Sequence, residues 1–367
     1  MNVETIIEFG LGSAYGGIEN VVYSLRKEFI NNCVHFVFIS PRKEIAYEKE
    51  FISFGDEVYH VTDYRKSIKK YRREVIELLK KYDAKTSIIH LNLSSYRNFL
   101  LIDLIKKSGF RFIIHGHNAG DLSKIKHLLH LFFRRYYSKI GVKVACSKKS
   151  GQYMFGNNPH IVINNGIDSE KFNFNVEFRK IFREKYNIKD GEVLIGNIGR
   201  ISKEKNSIFL IKLIEKYQDI FINNRIKVIF VGIIDDKEFV NAYNSLPLNI
   251  KERIILVGEV KQSIEKYYSM IDIFVNTSPN EAFPLVKAEA MASGLIVLTS
   301  KGTPLFNIEG ENEKCYQIDL IDLDKWIKII LHCLSFVDGN RRNNIINGSR
   351  LDIKHFSQSF MEIIQQI

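Results

Sequence analysis

Residues 271–299 constrain the fold of this chain more strongly than any other segment. An apolar run at 271–275 precedes a polar loop, a helical pattern between Pro284 and Gly294, and a second apolar run at 295–299. Proline suits the first turn of a helix and glycine suits its C-terminal cap. The segment therefore predicts strand, loop, helix and strand, which is a βαβ unit with parallel strands. In such a unit, ligands bind beyond the carboxyl ends of the strands.

The same alternation of apolar runs and helical patterns continues through most of the 367 residues. Because a chain of this length usually divides into two domains, we expect an α/β fold with two doubly wound, Rossmann-like domains. Turn chemistry at 165–168 places the boundary near residue 168, so the predicted divisions are 1–168, 169–350 and a last helical segment at 351–367. Further strands are predicted at 5–9, 34–40, 88–93, 112–114, 143–146, 161–164, 193–198, 226–232 and 254–258, and helices at 66–82, 100–108, 124–139 and 358–366.

Two carboxylates, Glu281 and Glu289, lie eight residues apart in the βαβ unit. Backbone N–H groups in the first turn of a helix have no partner inside the helix and attract anions. A diphosphate at 283–286, a sugar beside Glu281 and a ribose beside Glu289 would use every feature of the segment. The alternative is that both carboxylates are solvated charges favoured by the helix dipole.

Positive charge follows the strand predicted at 193–198. Gly199 permits a tight turn, Arg200 offers a planar fork for phosphate, and Lys205 offers a point charge. Either basic residue alone could be a solvated loop charge. Their joint spacing after a strand favours a phosphate-binding role.

Two strand ends in the first half could also approach a ligand. Gly16 and Gly17 lie in a glycine-rich loop before a helix predicted from about residue 20, without the G-x-G-x-x-G spacing of a dinucleotide site; a plain tight turn is the alternative. His115 and His117 end another strand, where residues at i and i+2 share a face. They are either site residues or ordinary polar residues at a strand exit. A metal site is not expected, because no third ligand stands at suitable spacing.

The segment at 281–294, Glu-Ala-Phe-Pro-Leu-Val-Lys-Ala-Glu-Ala-Met-Ala-Ser-Gly, resembles the E-x7-E signature of the family 4 retaining glycosyltransferases, which have the GT-B fold. Ala282 stands where that family usually has glycine. Three shorter segments are similar to other motifs of the family: Gly-Gly-Ile-Glu at 16–19, Gly-Arg at 199–200 followed by Lys205, and Asn-Gly-Ile-Asp at 165–168. The match is strong over the second half of the chain and weaker over the first.

The resemblance implies an enzyme that moves a sugar from a nucleotide diphosphate donor, such as a UDP-sugar, to a hydroxyl of a lipid-linked or oligosaccharide acceptor. The pathway it implies is bacterial surface polysaccharide synthesis, which covers capsule, exopolysaccharide and O-antigen. It also implies retention of the anomeric configuration, and no metal or other cofactor. The two domains would face each other across a cleft, and the last helix would pack on the first domain.

Individual residues acquire roles from the same resemblance. Glu281 would hold hydroxyls of the donor sugar, Glu289 would hold the ribose, and a histidine would stand near the donor sugar and the acceptor. For that histidine, His117 is preferred over His115 because Gly116 is expected to lie outside the sheet. The catalytic candidates are thus Glu281, His117 and His115, and the donor-binding candidates are Gly16, Gly17, Arg200, Lys205, Val260, Glu281, Phe283, Pro284, Leu285 and Glu289.

A formal net charge of +11 would suit nucleic acid, an anionic membrane surface or a phosphorylated substrate. Nucleic acid is not an expected partner, because the sequence has no zinc-ligand spacing and no aromatic-glycine RNA motif. A cytoplasmic protein is favoured by three features, namely four widely spaced cysteines, the lack of a basic leader and the lack of an apolar run near ~20 residues.

The aromatic and basic helix at 124–139 either docks on the inner face of an anionic membrane or packs on the core with a solvated basic edge.

Two other functions stay open at this point. A GT-B nucleotide-sugar 2-epimerase would use the same donor without an acceptor. A non-catalytic protein would bind a nucleotide sugar or another polyanion without turning it over. Intact Glu281, Glu289, Arg200 and Lys205 argue against a protein that has lost catalysis.

Overall fold

The computed structural model describes residues 3–30, 32–120, 123–337 and 344–367. The chain forms two compact units, one of Met1–Ile167 with Arg350–Ile367 and the other of Asp168–Ser349. Each unit is built on a parallel sheet whose strands are connected mainly through helices. The predicted α/β fold with two doubly wound domains is confirmed.

The first unit contains a seven-stranded parallel sheet of order β3-β2-β1-β4-β5-β6-β7, so the strand order reverses between β1 and β4. Its strands are β1 (Thr5–Phe9), β2 (His35–Ser40), β3 (Glu57–His60), β4 (Ser87–Leu93), β5 (Arg111–Gly116), β6 (Val142–Ala145) and β7 (Ile161–Val162). Its first six helices are α1 (Gly17–Glu28), α2 (Glu48–Ser53), α3 (Ile68–Leu79), α4 (Phe99–Lys107), α5 (Lys124–Tyr137) and α6 (Lys148–Phe155).

The sequence patterns do not predict helix α2 or strand β3. Helix α2 has six residues and follows Tyr47, whose φ is 63° and whose side chain does not cap the helix. Strand β3 lies at the edge of the sheet and is partly exposed, so its residues lack the apolar run of a central strand. A buried ion pair of 2.8 Å between Arg26 and Asp56 holds the turn before β3 against α1.

The second unit contains a six-stranded parallel sheet of order β12-β10-β8-β13-β14-β15 and a separate pair, β11-β9. Its strands are β8 (Val193–Ile198), β9 (Ile201–Ser202), β10 (Ile226–Val231), β11 (Ile234–Asp235), β12 (Ile254–Gly258), β13 (Ile273–Asn276), β14 (Ile296–Ser300) and β15 (Cys315–Ile318). Its helices are α7 (Val176–Lys185), α8 (Ile208–Lys216), α9 (Gln218–Asn223), α10 (Lys237–Ser245), α11 (Leu248–Lys251), α12 (Glu265–Met270), α13 (Leu285–Ala292), α14 (Glu311–Lys314) and α15 (Leu323–Leu334). Strand order reverses between β8 and β13.

The last helix, α16 (Ile353–Gln366), belongs to the first unit. It begins five residues before the predicted start at 358, because the Asp352 side chain accepts a hydrogen bond from the Lys354 backbone N–H at 3.0 Å and caps the helix. Phe356 and Phe360 of α16 are fully buried, and the Phe360 ring lies 4.7 Å from the ring of His90. Within the described residues, no helix is long and apolar enough to cross a membrane.

Candidate active site

The loops after β8 and β13 meet where the second sheet reverses its strand order, which is the place where open α/β sheets bind ligands. Asn197 of β8 donates its side-chain N–H to the Val275 carbonyl of β13 at 2.8 Å and accepts a hydrogen bond from the Ser207 hydroxyl at 3.0 Å. The Thr277 hydroxyl lies 3.1 Å from the Lys205 carbonyl oxygen. These contacts hold the basic loop at 200–206 against the end of β13.

Lys205 and Glu281 are brought into direct contact by this arrangement. Lys205 Nζ lies 2.6 Å from Glu281 Oε1, while the Glu281 backbone N–H donates to the Gly302 carbonyl at 3.3 Å. Glu281 is 9% exposed, whereas the Lys205 side chain is 39% exposed. A group bound by one of these residues therefore lies within reach of the other.

The N-terminus of α13 lies beside this pair. The sequence predicts a helix at 284–294, and α13 occupies Leu285–Ala292, with Pro284 before its first residue and Gly294 in the left-handed conformation after its end. Phe283, Pro284 and Leu285 are buried, so side chains cover one side of the first turn. Ala282 has no positive φ, so its methyl group costs no backbone strain here.

A buried ion pair supports the same helix from behind. Lys287 Nζ of α13 lies 2.7 Å from Glu311 Oε1 and donates to the Pro304 carbonyl at 2.9 Å, and both side chains are inaccessible to solvent. Glu311 also accepts the backbone N–H groups of Phe306 and Asn307 at 2.9 and 2.6 Å. The pair fixes the loop after β14 against α13. The sequence signal for it is the single lysine among the apolar residues of α13.

Glu289 is buried in the second turn of α13, where its Oε2 accepts a hydrogen bond of 2.6 Å from the Tyr268 hydroxyl. Burial raises the pKa of Glu289 above its ordinary value, although the Tyr268 hydrogen bond and the charge of Lys171 oppose that shift. Tyr268 is fully buried on α12. Sequence reasoning missed Tyr268, because nothing in the residue pattern relates it to Glu289.

The remaining predicted donor-binding residues of this unit lie on neighbouring loops. Arg200 is exposed directly after β8, with a positive φ of 134° at Gly199 before it. Val260 is half-buried after β12, which is separated from β8 by β10. Both therefore lie beyond the carboxyl ends of strands, at the same edge of the sheet as Lys205.

The glycine-rich loop of the first unit closes around the carboxylate of Glu19. The Gly12 backbone N–H donates to Glu19 Oε1 at 2.8 Å, and a Cβ on Gly16 would lie 2.6 Å from Glu19 Oε2. Gly17 is the first residue of α1, three residues before the predicted start. Gly16 thus leaves room for the Glu19 side chain of α1, at the reversal of strand order between β1 and β4.

The two predicted histidines belong to a network of five polar side chains at the carboxyl ends of β1, β4 and β5. Glu8 Oε1 lies 2.9 Å from His90 Nδ1, and His90 Nε2 lies 3.1 Å from His115 Nδ1. Asn92 Nδ2 donates to Glu8 Oε2 at 2.8 Å, and Asn92 Oδ1 lies 2.9 Å from His117 Nε2. Glu8, His90 and Asn92 were missed because Glu8 lies on β1 while His90 and Asn92 lie on β4, and only the sheet register brings them together with each other and with the end of β5.

His115 and His117 are not equivalent in this network. His115 is fully buried and His117 is half-buried, with ring centroids 4.0 Å apart. Burial lowers the pKa of His117 to about 3, helped by nearby His90, and burial lowers the pKa of His115 well below its ordinary value. The expected position of Gly116 outside the sheet is wrong: Gly116 is the last residue of β5 and pairs with Leu93 and Ala145. The position of Gly116 therefore no longer supports the preference for His117, and that preference stays a prediction.

Metal-binding groups of three or more histidine, cysteine, aspartate or glutamate side chains do not occur in the part of the chain that the structure describes. The expectation of catalysis without a metal stays a prediction.

Two family models match this chain. The model described as "Glycosyl transferases group 1" matches residues 178–350, and the model described as "Glycosyltransferase Family 4" matches residues 15–171. Fold, site and matches define a glycosyltransferase of the GT-B type. The chain belongs to family 4 of these enzymes, as its resemblance to that family implies.

Named relatives and a solved structure agree with this assignment. UDP-Gal:alpha-D-GlcNAc-diphosphoundecaprenol alpha-1,3-galactosyltransferase of Escherichia coli is 30% identical over 51% of this chain and 49% of its own length. The O-antigen biosynthesis glycosyltransferase WclY of Escherichia coli is 24% identical over 90% of this chain and 89% of its own. The crystal structure of Anabaena Alr3699/HepE in complex with UDP and glucose has a TM-score of 0.79 and 16% identity, and the match covers 100% of both chains.

Proposed function

We propose that this glycosyltransferase moves a sugar from a UDP-sugar to a hydroxyl of a lipid-linked or oligosaccharide acceptor, with retention, in bacterial surface polysaccharide synthesis. The observation that carries the proposal is the contact of Lys205 with Glu281 beside the N-terminus of α13. A cation, a carboxylate and the first-turn N–H groups of a helix together suit a sugar joined to a diphosphate.

Each part of the donor then has a partner of matching chemistry. The diphosphate lies against Lys205, Arg200 and the N–H groups at the start of α13. Glu281 accepts hydrogen bonds from hydroxyls of the sugar, and Glu289 accepts them from the ribose. Glu289 suits a buried neutral diol, because Tyr268 already uses one of its oxygens and leaves the other for the ligand.

Names of relatives support the choice of donor and acceptor. The Escherichia coli galactosyltransferase is named for UDP-Gal and for an acceptor linked to diphosphoundecaprenol, and WclY is named for O-antigen biosynthesis. The Anabaena protein was crystallised with UDP and glucose. A UDP-sugar and a lipid-linked saccharide are therefore the substrates to test first.

Retention follows from substitution on one face of the donor sugar. The bond from the anomeric carbon to the diphosphate oxygen breaks, and its electron pair stays on that oxygen. Lys205, Arg200 and the start of α13 stabilise the charge that develops there, so the proposal needs no metal. The acceptor oxygen forms its bond on the face that the diphosphate leaves, and its proton passes to the departing diphosphate.

Peripheral docking on an anionic membrane is part of the proposal, and α5 carries it. One face of α5 packs inward, where the Phe133 ring stacks on Phe99 at 4.3 Å and His130 is fully buried. The outer face exposes a stripe of large apolar side chains, namely Ile125, Leu128, Leu129, Phe132 and Tyr136. Exposed basic residues stand beside this stripe, namely Lys124, Lys126, Arg135 and Lys139.

Such a helix presents apolar area to the acyl boundary and positive charge to anionic headgroups. The alternative, a core-packed helix with a solvated basic edge, leaves the exposed stripe without a role. Docking through α5 would hold the first unit at the surface where a lipid-linked acceptor resides.

A direct transfer assay tests the function. The protein is incubated with a panel of UDP-sugars and a polyprenyl-diphosphate saccharide, products are identified by mass, and the anomeric configuration is read by NMR. Expected is a new saccharide of retained configuration that also forms in EDTA. An epimerised nucleotide sugar without acceptor would support an epimerase instead, and binding without any product would support a non-catalytic role.

A further inference from the structure

In the network of Glu8, His90, Asn92, His115 and His117, the contacts of Asn92 determine which groups donate hydrogen bonds and which accept them. The Asn92 amide nitrogen has two acceptors, Glu8 Oε2 at 2.8 Å and the Phe9 backbone carbonyl at 3.3 Å. A carbonyl oxygen never donates a hydrogen bond, and an ionised carboxylate does not donate either. The amide nitrogen must therefore face Glu8, which leaves Asn92 Oδ1 facing His117.

This orientation of Asn92 determines which ring nitrogen of His117 carries the proton. Asn92 Oδ1 is an acceptor, so His117 Nε2, at 2.9 Å, must be the donor of that hydrogen bond. A neutral imidazole carries one proton, so Nδ1 of His117 keeps a lone pair. The His117 ring can then accept a hydrogen bond through Nδ1 and cannot donate one there.

The groups packed against His117 favour the neutral ring. Among the residues of the first unit that the structure describes, the titratable side chains around it are Glu8 of β1, His90 of β4 and His115 of β5, and Glu8 already holds both Asn92 and His90. From α16, the apolar Phe356 and Phe360 pack on the rings of His115 and His90, the two histidines next to His117 in the network. Glu8 therefore acts on His117 through Asn92, without touching it.

We infer that Glu8 and Asn92 are positioning residues that present His117 Nδ1 as a hydrogen-bond acceptor for a substrate hydroxyl. The ligand class, a hydroxyl of the donor sugar or the acceptor, depends on the proposed function. The tautomer of His117 does not depend on it, because it follows from contacts inside the first unit. The two statements can therefore fail separately.

The tautomer is read by NMR of the full chain labelled with ¹⁵N-histidine. The variant His117→Gln identifies the His117 signals among the ten histidines. Between pH 5.5 and 8, His117 should show a protonated Nε2, an unprotonated Nδ1 and no titration. A protonated Nδ1, or a titration near pH 6.5, would overturn the inference whatever reaction the protein catalyses.

The kinetic test replaces the amide acceptor with a carboxylate. In Asn92→Asp, the new carboxyl replaces the amide nitrogen that lies 2.8 Å from Glu8 Oε2, so the two carboxyls share one proton and carry one negative charge between them. Part of that charge then lies beside His117 Nε2 and should raise the pKa of His117, and the imidazolium that forms cannot accept through Nδ1. When the pH is lowered from 8 to 6, kcat/KM of the variant should fall by about tenfold more than kcat/KM of the wild type falls. The KM for the UDP-sugar should change little. The matched control is Asn32→Asp, an exposed residue of the same unit, which should keep the wild-type pH profile.

Should Asn92→Asp fail to fold, Glu8→Gln serves instead. A glutamine offers one acceptor oxygen to two donors, Asn92 Nδ2 and His90 Nδ1, so one of the two hydrogen bonds is lost. The variant should show a second tautomer of His117 in the same spectra and a lower kcat at unchanged donor KM. A folded Glu8→Gln with the wild-type spectrum and the wild-type kcat would refute the positioning role.

Discussion

Lys205 Nζ lies 2.6 Å from Glu281 Oε1, so the cation that we assign to the diphosphate is paired with the carboxylate that we assign to the sugar. A diphosphate carries more negative charge than one carboxylate, and Lys205 is a flexible point charge that can turn toward it. Glu281 would then exchange a cation for the hydroxyls of the sugar. The pair therefore couples recognition of the two halves of the donor.

Loss of the basic side chains should slow transfer without unfolding the protein. We expect Lys205→Ala and Arg200→Ala each to lower kcat/KM at least tenfold, since a charge-assisted contact contributes about 1.5–3 kcal/mol. The thermal midpoint should change little for Arg200→Ala, because Arg200 is exposed, and should fall modestly for Lys205→Ala, which leaves the nearly buried carboxylate of Glu281 without its cation. The matched control is Lys203→Ala, a lysine of the same loop whose ion pair with Glu238 is at the surface. Wild-type turnover in the double variant would remove Arg200 and Lys205 from the diphosphate site.

Calorimetry with free UDP should distinguish the roles of Glu281 and Glu289, because replacing each one should change the affinity for UDP differently. Glu289→Gln should weaken UDP binding, because the ribose is common to UDP and the UDP-sugar. Glu281→Gln should bind UDP as tightly as the wild type or more tightly, because Lys205 loses its competing partner, yet it should transfer sugar slowly. The exposed Glu252→Gln controls for the change of net charge. If the affinities follow the opposite order, the two assignments must be exchanged.

Ionisation of the buried Glu289 carboxyl should lower the free energy of unfolding at neutral pH. Its folded-state pKa is raised above 4.5 by burial, so its contribution to stability is largest below pH 4.5 and is lost as the pH rises through the raised value. Glu289→Gln keeps an acceptor for Tyr268 and should melt at a higher temperature than the wild type at pH 8, with the difference shrinking toward pH 4.5.

Replacing Tyr268, the hydrogen-bond donor to Glu289, should change stability in the opposite direction. Tyr268→Phe leaves the buried carboxylate with one donor fewer and should destabilise the protein by about 1.5–3 kcal/mol at pH 8. Melting curves of both variants and the wild type at pH 5 and pH 8 check the pair of predictions. Equal pH dependence in all three proteins would show that Glu289 does not titrate as its burial requires.

Local sequence signals account for the parts of the site that lie on one βαβ unit. The apolar runs, Pro284 and Gly294 place β13, α13 and β14 within two residues, because each signal acts on its own backbone. The ion pair of Lys287 with Glu311 and the bond of Tyr268 to Glu289 join residues more than 20 positions apart. Such contacts depend on packing, which no local pattern encodes.

The histidine network shows the same limit more sharply. Glu8 and His90 are directly opposite each other in the register of β1 and β4, and Asn92 is opposite His115 in that of β4 and β5. The sequence places polar residues at three strand ends, but strand order decides which of them touch. The argument for preferring His117 over His115 failed for a related reason, since β5 extends two residues beyond its apolar run and includes Gly116, while the preference itself stays a prediction.

Membrane docking through α5 should depend on both its charge and its apolar stripe. Arg134 is spared in the test because its guanidinium donates to the Tyr153 carbonyl at 2.9 Å and supports the fold. In Arg135→Glu with Lys139→Glu, loss of two basic residues removes about 2 kcal/mol, or about thirtyfold in affinity, before repulsion by the new carboxylates.

Sedimentation with phosphatidylglycerol vesicles at low salt measures the effect, and calorimetry with UDP should give wild-type affinity for every variant. Leu128→Ser with Phe132→Ser should also weaken sedimentation, because the apolar side chains supply the buried area that charge alone lacks.

The matched control is Lys69→Glu with Arg72→Glu on α3, which makes the same charge change at exposed positions of another helix. Equal loss in the control would mean that net charge, rather than the surface of α5, attracts the vesicles. A wild type that stays in the supernatant would mean that the lipid-linked acceptor reaches the enzyme without this helix.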